Sequence, residues 1–375
     1  MVGARRARLA AIAVLVGGLL AAALVLVLLL PGSHHHAAPP APTTVAPKRA
    51  PVPVVRAGPL GAHSMLYSST PFAFKRAMFA EAASLGVSEI RVDVDLSGIF
   101  PTPDSTDWSG LDDYIHLAGE YHLAVLADVT ATPAWLANCP AGTTPPQSYR
   151  CGTDDAAAYG ALAGRLAQHA GGAITDWEIV NEPDARWAFL GTPEQYARML
   201  SASYDAIKAA APQDRVLIGG IGSPSSTAWL DRVFAVPGAD AAHKFDVANV
   251  HVRAPLAALA PTVRKWIAYF AGIGFHGPLW VTEHGYPADP AYQSDPAYRG
   301  GAQSQASYLV RSIPALVQGG AAKVFVTERD NGALGDASQG LLGGDVHDPP
   351  TADPVPVRRP AFFAVQGLAR AYARR

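Results

Sequence analysis

Apolar, strand-like runs alternate with amphipathic, helix-like runs from residue 57 to the C-terminus, and this rhythm constrains the fold more than any other feature of the chain. Strand candidates are Pro59 to Met65, Glu89 to Leu96, Leu123 to Thr130, Ile174 to Glu182, Val216 to Gly220, Phe245 to His251, Leu279 to Glu283 and Lys323 to Thr327. The helical candidates between them are Pro71 to Leu85, Trp108 to Tyr121, Asp154 to His169, Pro193 to Ala211, Ser226 to Ala235, Pro261 to Gly272, Ala302 to Gln318 and Pro360 to Arg374. Local start signals agree with this division: Thr192-Pro193-Glu194 sets a capping hydroxyl before a proline at the first helical position. Eight βα units predict an α/β protein of the (β/α)8 TIM barrel type, for which about 250 residues is typical and insertions are common. An open, doubly wound sheet is the competing architecture, but no glycine-rich phosphate turn follows the first strand. No other internal repeat is visible, which disfavours a solenoid.

The first 56 of the 375 residues have a different character. Residues 1–8 form a short basic tail with Arg5, Arg6 and Arg8, and an unbroken apolar run follows from Leu9 to Leu30. At 1.5 Å per residue that run spans roughly 33 Å, enough for the hydrocarbon core of a bilayer. It is expected to be a signal anchor spanning the membrane once, with the basic tail in the cytoplasm and the remainder outside. A cleavable signal peptide is the alternative, but its apolar region is normally about 7–15 residues, and no clear cleavage site follows Leu30. Residues 31–56 are rich in Pro and Ala, the composition of a semi-rigid linker, and the triplet His34, His35 and His36 within it is given no role. Residues 57–375 are then the barrel domain.

Cys139 and Cys151 are the only cysteines. Outside the cytoplasm, two thiols in a Pro/Gly-rich loop are expected to be joined. With 29 Lys+Arg against 31 Asp+Glu the charge is balanced, which argues against nucleic acid or an acidic polymer as partner and favours a near-neutral substrate. The sequence does not reveal the oligomeric state.

Two of the strand candidates end in carboxylates: Asp176-Trp177-Glu178-Ile179-Val180-Asn181-Glu182-Pro183 and Leu279-Trp280-Val281-Thr282-Glu283-His284-Gly285-Tyr286-Pro287. Residues at the C-terminal ends of barrel strands face the active-site mouth. Glu182 would end the fourth strand and Glu283 the seventh, from where they can approach each other across the axis. Glycosidic hydrolysis needs such a pair, one acid to protonate the leaving oxygen and one carboxylate to act at the anomeric carbon.

On these residues the chain resembles the clan A glycoside hydrolases, whose fourth strand ends in Asn-Glu-Pro and whose seventh ends in a nucleophilic Glu. Within the clan it looks most like family 39 and neighbouring cellulase-type members. The resemblance implies a retaining O-glycoside hydrolase in which Glu182 is the acid/base, Glu283 the nucleophile and Asn181 a contact to the sugar 2-hydroxyl. It further implies that Arg91, in Glu89-Ile90-Arg91-Val92-Asp93, hydrogen-bonds the nucleophile, and that His251 is the strand-six histidine. Two departures concern the substrate. Arg253 stands where many members have a tyrosine touching the nucleophile, and Val326-Thr327-Glu328-Arg329-Asp330 lacks the strand-eight tryptophan that many use as a sugar platform.

Trp135, Trp187 and Tyr286 follow strands three, four and seven and are candidate stacking residues. Glu178 lies about 13 Å deeper than Glu182 on a regular strand and reads as paired barrel interior. Asp93, Asp95, Asp128 and Glu328 are possible pocket residues. No cofactor is expected, and no metal either, although Asp345-Val346-His347-Asp348 has suitable side chains. A carbohydrate-binding barrel without turnover, or a transglycosylase using the same pair, are the alternative functions.

Overall fold

The computed structural model describes residues 58–143, 147–223, 226–329, 338–344, 350–351 and 354–374. The expected basic tail, membrane anchor, linker and histidine triplet, together with Asp330 and Asp345 to Asp348, lie outside these residues. Among the described residues no helix is long and apolar enough to cross a membrane.

The strands are β1 (Leu60–Ser64), β2 (Glu89–Asp95), β3 (Ala124–Thr130), β4 (Asp176–Ile179), β5 (Arg215–Ile218), β6 (Ala248–His251), β7 (Leu279–His284) and β8 (Lys323–Arg329). They form one sheet in the order β5-β4-β3-β2-β1-β8-β7-β6, with every pair parallel. Hydrogen bonds from Asp246 N to Val216 O (2.7 Å) and from His251 N to Ile221 O (2.8 Å) join β5 to β6 and close the barrel. The helices that cover it are α1 (Phe72–Leu85), α2 (Ser109–Tyr121), α3 (Ala156–Ala170), α4 (Pro193–Ala210), α5 (Thr227–Phe234), α6 (Leu256–Gly272), α7 (Ala302–Gly319) and α8 (Pro360–Ala373). A two-stranded antiparallel ribbon, β9 (Leu342–Gly344) with β10 (Pro356–Arg358), precedes α8.

The local chemistry explains most of the boundaries. Thr192 caps α4 with a reciprocal box: its Oγ1 accepts from Gln195 N (3.2 Å) while Gln195 Oε1 accepts from Thr192 N (3.0 Å). α6 differs from expectation, because it begins at Leu256 and carries Pro261 inside it. Asp295, from a distant loop, accepts the Leu256 amide through Oδ2 (2.9 Å) and so supplies a cap that no local residue announces.

Alternate residues of each strand point inward. At the N-terminal end the barrel interior is an apolar plug of Leu126, Leu217, Val247, Trp280 and Phe325. The outward residues pack with the helices into the main core. At the C-terminal end the inward positions are polar, and there the candidate site lies.

Candidate active site

Both glutamates reach the barrel mouth because the backbone departs from regular strand geometry. β4 stops at Ile179, three residues short of the expected end, and Val180 (φ 65°) and Glu182 (φ 39°) are in the left-handed region. That region is costly for a β-branched valine, on the order of 1–3 kcal/mol, and such turns persist only when their surroundings enforce them. The enforcement comes from β5 and its loop. A Cβ on Gly219 would lie 2.0 Å from Val180 O, and one on Gly222 would lie 2.7 Å from Glu182 Cδ, so only glycine admits this turn. Asp184 fastens the same loop by accepting from Gly222 N (3.0 Å) and Ser223 N (3.2 Å).

Glu283 is turned inward by a β-bulge. Val250 pairs with Val281 but His251 pairs with Glu283, and on the other side Val281 pairs with Val324 but His284 with Val326, so β7 holds one extra residue there. Trp280 and Thr282 face the interior; without the extra residue Glu283 would face the helices. With it, Glu283 enters the mouth, and His284 takes the outward position between Val252 O and Ser312 Oγ (2.8 Å each).

The result is a tight constellation. A carboxylate oxygen of Glu182, one of Glu283 and a ring nitrogen of His251 lie within 4.8 Å of one another, and all three residues are buried. These three could hold a cation by donor type, but both Glu283 oxygens already face guanidinium donors. Arg91 Nη1 donates to Oε1 (3.1 Å) and Arg253 Nη2 to Oε2 (2.8 Å).

Arg91 organises the interior beneath the site. Its Nε and Nη2 hold the two oxygens of Glu178 (2.8 and 3.0 Å), Nη2 also donates to Asn181 Oδ1 (2.8 Å) and Asp128 Oδ2 (3.2 Å), and Nη1 donates to His63 Nε2 (2.9 Å). Since a guanidinium only donates, His63 Nε2 is an acceptor and the ring is neutral with its proton on Nδ1. Burial agrees, pushing the His63 pKa down to about 3. Burial alone would raise the pKa of Glu283, but the positive groups around it, His251, His63, Arg91 and Arg253, outweigh that and hold it well below the usual carboxylate range. With His63 neutral, the two arginines and His251 carry the effect.

His251 bridges the pair from behind. Thr282 Oγ1 donates to Asn249 Oδ1 (2.8 Å), so it accepts from His251 Nε2 (3.1 Å), and His251 Nδ1 is left facing Glu182 Oε1 at 2.6 Å. One proton is therefore shared between His251 and Glu182. Asp93, at the lip, is buried and hydrogen-bonded to Asp128. Its pKa is raised to about 7, first by burial and then by the charges of Glu283 and Glu178, against the pull of Arg91.

A cavity of about 270 Å³ lies over the two glutamates, with Tyr67, Asp93, Asn181, Trp187 and Arg253 among its walls. Of the residues singled out from sequence, Glu182, Glu283, Asn181, Trp187, Asp93 and Arg253 meet at this cavity, and Asp95 lines only its neighbour. Arg91 and His251 lie just beneath it, buried and bonded to the glutamates rather than open to a ligand. Glu178 is paired interior. Two of the stacking candidates do not reach the cavity. Tyr286 is buried and stacked on Tyr308 (ring centroids 4.0 Å apart), its hydroxyl donating to Asp295 O, so it is a packing residue. Trp135 is partly exposed but donates its Nε1 to Phe100 O (2.8 Å) and lines neither this cavity nor its neighbour. Glu328 lies at the outward parity of β8 and is buried away from the mouth. Cys139 and Cys151 are joined, as expected. Sequence reasoning passed over His63, whose inward parity near the end of the first strand is the signal that marks it, and Tyr67, which carries no such signal.

No family model matches the sequence, and no curated protein matches it. Solved structures do share the fold. A monomeric β-xylosidase from Caulobacter crescentus CB15 superposes with a TM-score of 0.62 at 18% identity, over 85% of this chain and 69% of that one. A family 39 glycoside hydrolase from the gut symbiont Bacteroides cellulosilyticus WH2 gives 0.58 at 18% identity, over 83% of this chain and 63% of the other. GH5_18 from Streptomyces cattleya, solved in complex with GlcNAc, gives 0.59 at 20% identity, over 84% and 81%. The chain thus spans less than two thirds of the family 39 protein. Its fold is the barrel of these glycoside hydrolases.

Proposed function

We propose that the protein is a retaining O-glycoside hydrolase with Glu283 as nucleophile and Glu182 as acid/base. The observation that carries this reading is the approach of a Glu182 oxygen and a Glu283 oxygen to within 4.8 Å. Carboxyl groups about 5–5.5 Å apart suit a covalent glycosyl-enzyme, whereas about 6.5–9.5 Å is needed to admit the water of an inverting enzyme. Glu283, kept ionised by Arg91 and Arg253, attacks the anomeric carbon as the proton shared by Glu182 and His251 passes through Glu182 to the departing oxygen. In the second step Glu182 takes a proton from water, the hydroxide oxygen bonds the anomeric carbon, and the Glu283 carboxylate leaves. Asn181, whose side chain Arg91 orients, would meet the 2-hydroxyl of the sugar in the cavity. The apolar run 9–30 and the disulfide support a membrane-anchored enzyme acting outside the cytoplasm on an envelope or surrounding poly- or oligosaccharide.

The test is hydrolysis of a panel of aryl glycosides by the protein and by Glu283→Gln. The reading expects activity with retained configuration in the first and its loss in the second; full activity in the variant removes the nucleophile. One feature favours a second reading, a sugar-binding barrel without turnover: Arg253 lies against both carboxylates, 2.8 Å from Glu283 and 3.7 Å from Glu182. That reading expects sugar binding and no product from the unaltered protein.

A further inference from the structure

The cavity over the glutamates continues into a larger one, of about 480 Å³, and the two share the walls formed by Tyr67, Asp93, Asn181 and Trp187. The continuation is one-sided. Glu182, Glu283, Gly222 and Arg253 belong to the first cavity alone, while Asp95 and Thr130, at the ends of β2 and β3, belong to the second alone. The extension therefore runs away from both glutamates and past Asn181, the residue assigned above to the 2-hydroxyl of the glycone sugar.

Two exposed aromatic side chains stand at this second cavity, Trp187 at 59% and Tyr149 at 47% exposure. Exposed aromatics at a polar cavity are what an apolar sugar face requires. The segments that carry them are fastened together: Arg150 Nη1 donates to Trp187 O (2.6 Å) and Leu190 N donates to Arg150 O (2.8 Å). Cys151, the next residue, is joined to Cys139, and Asn138 N donates to Gly152 O (2.8 Å), so the strip carrying Tyr149 is tied at its base by the disulfide. A rigid aromatic loses little conformational entropy when it binds. Asp93 and Asp95 also line this cavity and bring carboxyl groups that suit sugar hydroxyls.

We propose that this second cavity is a glycone-side subsite, built on the disulfide-tied strip with Tyr149 and Trp187, and that the substrate is a neutral oligosaccharide presenting at least two sugar units on the glycone side of the cleaved bond. This deepens the glycosidase reading and rests on it. The enzyme then releases a disaccharide or longer product rather than single terminal sugars.

The experiment uses the full chain in detergent with 4-nitrophenyl β-glycosides of glucose, xylose and mannose and of the matching β-1,4 disaccharides. Expected is a kcat/KM about tenfold or more higher on the disaccharide than on the monosaccharide of the same sugar. Tyr149→Ala should erase most of that ratio while leaving the monosaccharide rate within about twofold, because Tyr149 borders only the second cavity. A ratio near one, or a loss in Tyr149→Ala that is equal on both substrates, overturns the subsite while leaving the glycosidase reading intact. If no glycoside is cleaved, the glycosidase reading falls, and calorimetric titration of the same disaccharides decides the rest: binding weakened by Tyr149→Ala supports the subsite, and binding unchanged or absent overturns it.

Discussion

The two ends of the barrel interior solve opposite problems with the same eight strands. At the N-terminal end Leu126, Leu217, Val247, Trp280 and Phe325 fill the lumen, the strands are regular, and charge is confined to a rim. There Arg215 and Lys323 lie over the Trp280 ring (4.9 and 4.1 Å to its centroid), each paired with an acid, Asp176 and Glu89 respectively. At the C-terminal end the lumen holds Asp128, Glu178, Glu283, His63 and Arg91, all buried, and the strands that bring in the key acids are broken or bulged. One strand spans the contrast: β7 places Trp280 in the plug and, after its bulge, Glu283 in the mouth. Stability is built where side chains obey the strand period, and chemistry is built where the backbone violates it.

The comparison breaks most visibly at Arg91. Replacing it by Met leaves the buried carboxyl groups of Glu178 and Asp128 without their guanidinium partner and Glu283 with Arg253 alone, so Arg91→Met should lose on the order of 3–5 kcal/mol of stability and nearly all activity. Lysine should restore little, since a point charge cannot serve Glu178, Asn181 and Glu283 at once. Chemical denaturation and aryl-glycoside assays on the two variants decide this; an Arg91→Lys protein with ordinary activity would mean the fork is not what orders the site.

Phe325→Ala probes the other end. It should cost about 3–5 kcal/mol through the transfer and cavity terms, yet leave the kcat of the folded fraction within a few-fold, because Phe325 belongs to the apolar plug and not to the cavity over the glutamates. Loss of kcat comparable to that of Arg91→Met would show the two ends to be one mechanical unit.

Much of this contrast was legible in the sequence, and the gaps have physical causes. The eight strand and helix runs are visible because each buries one face against another layer, which imposes a period of 2 or 3.6 on the apolar residues. The two glutamates are visible because an apolar run ending in a carboxylate needs a reason. What period cannot show is where the period fails. Nothing in Val180-Asn181-Glu182 announces left-handed backbone; the cause is Gly219 and Gly222, some 40 residues away, leaving space for it. Nor does Thr282-Glu283-His284 announce a bulge, which belongs to the pairing with β6 and β8 rather than to β7. Tyr286 had the composition of a sugar platform and became packing because Tyr308, on α7, offered it a ring. The start of α6 was displaced for a similar reason, its cap coming from Asp295.

Arg253 sharpens the comparison within the mouth itself. It stands where the resemblance implies a tyrosine, and it adds a full charge beside Glu283 at 2.8 Å. In the proposed mechanism Glu283 must be ionised to attack, and Arg253 is one of the groups that lower its pKa, so Arg253→Met should move the acidic limb of kcat/KM to higher pH. The loss should be confined to the acidic side of the profile and vanish toward neutrality. Arg253→Lys should recover most of it. An acidic limb that stays in place would assign the control of Glu283 to Arg91 and His251 alone.

The smallest effect belongs to Asp93, which shows the cost of gathering acids at one end. Its folded pKa is about 7, above the roughly 3.9 of an unfolded aspartate. In that interval the native state binds more protons than the unfolded chain, so this group's contribution to stability falls as pH rises from about 4 to about 7 and is constant on either side. Asp93→Asn removes the ionisation. The variant should match the parent at pH 4 and exceed it by on the order of 1–3 kcal/mol at pH 7, measured as the difference between denaturation curves across that range. Because Asp128 remains to hydrogen-bond the new amide, the gain should come without loss of the fold. A difference independent of pH would mean that Asp93 is ionised throughout, and the acidic end of the barrel would then be held together by Arg91 more strongly than its crowding of carboxylates implies.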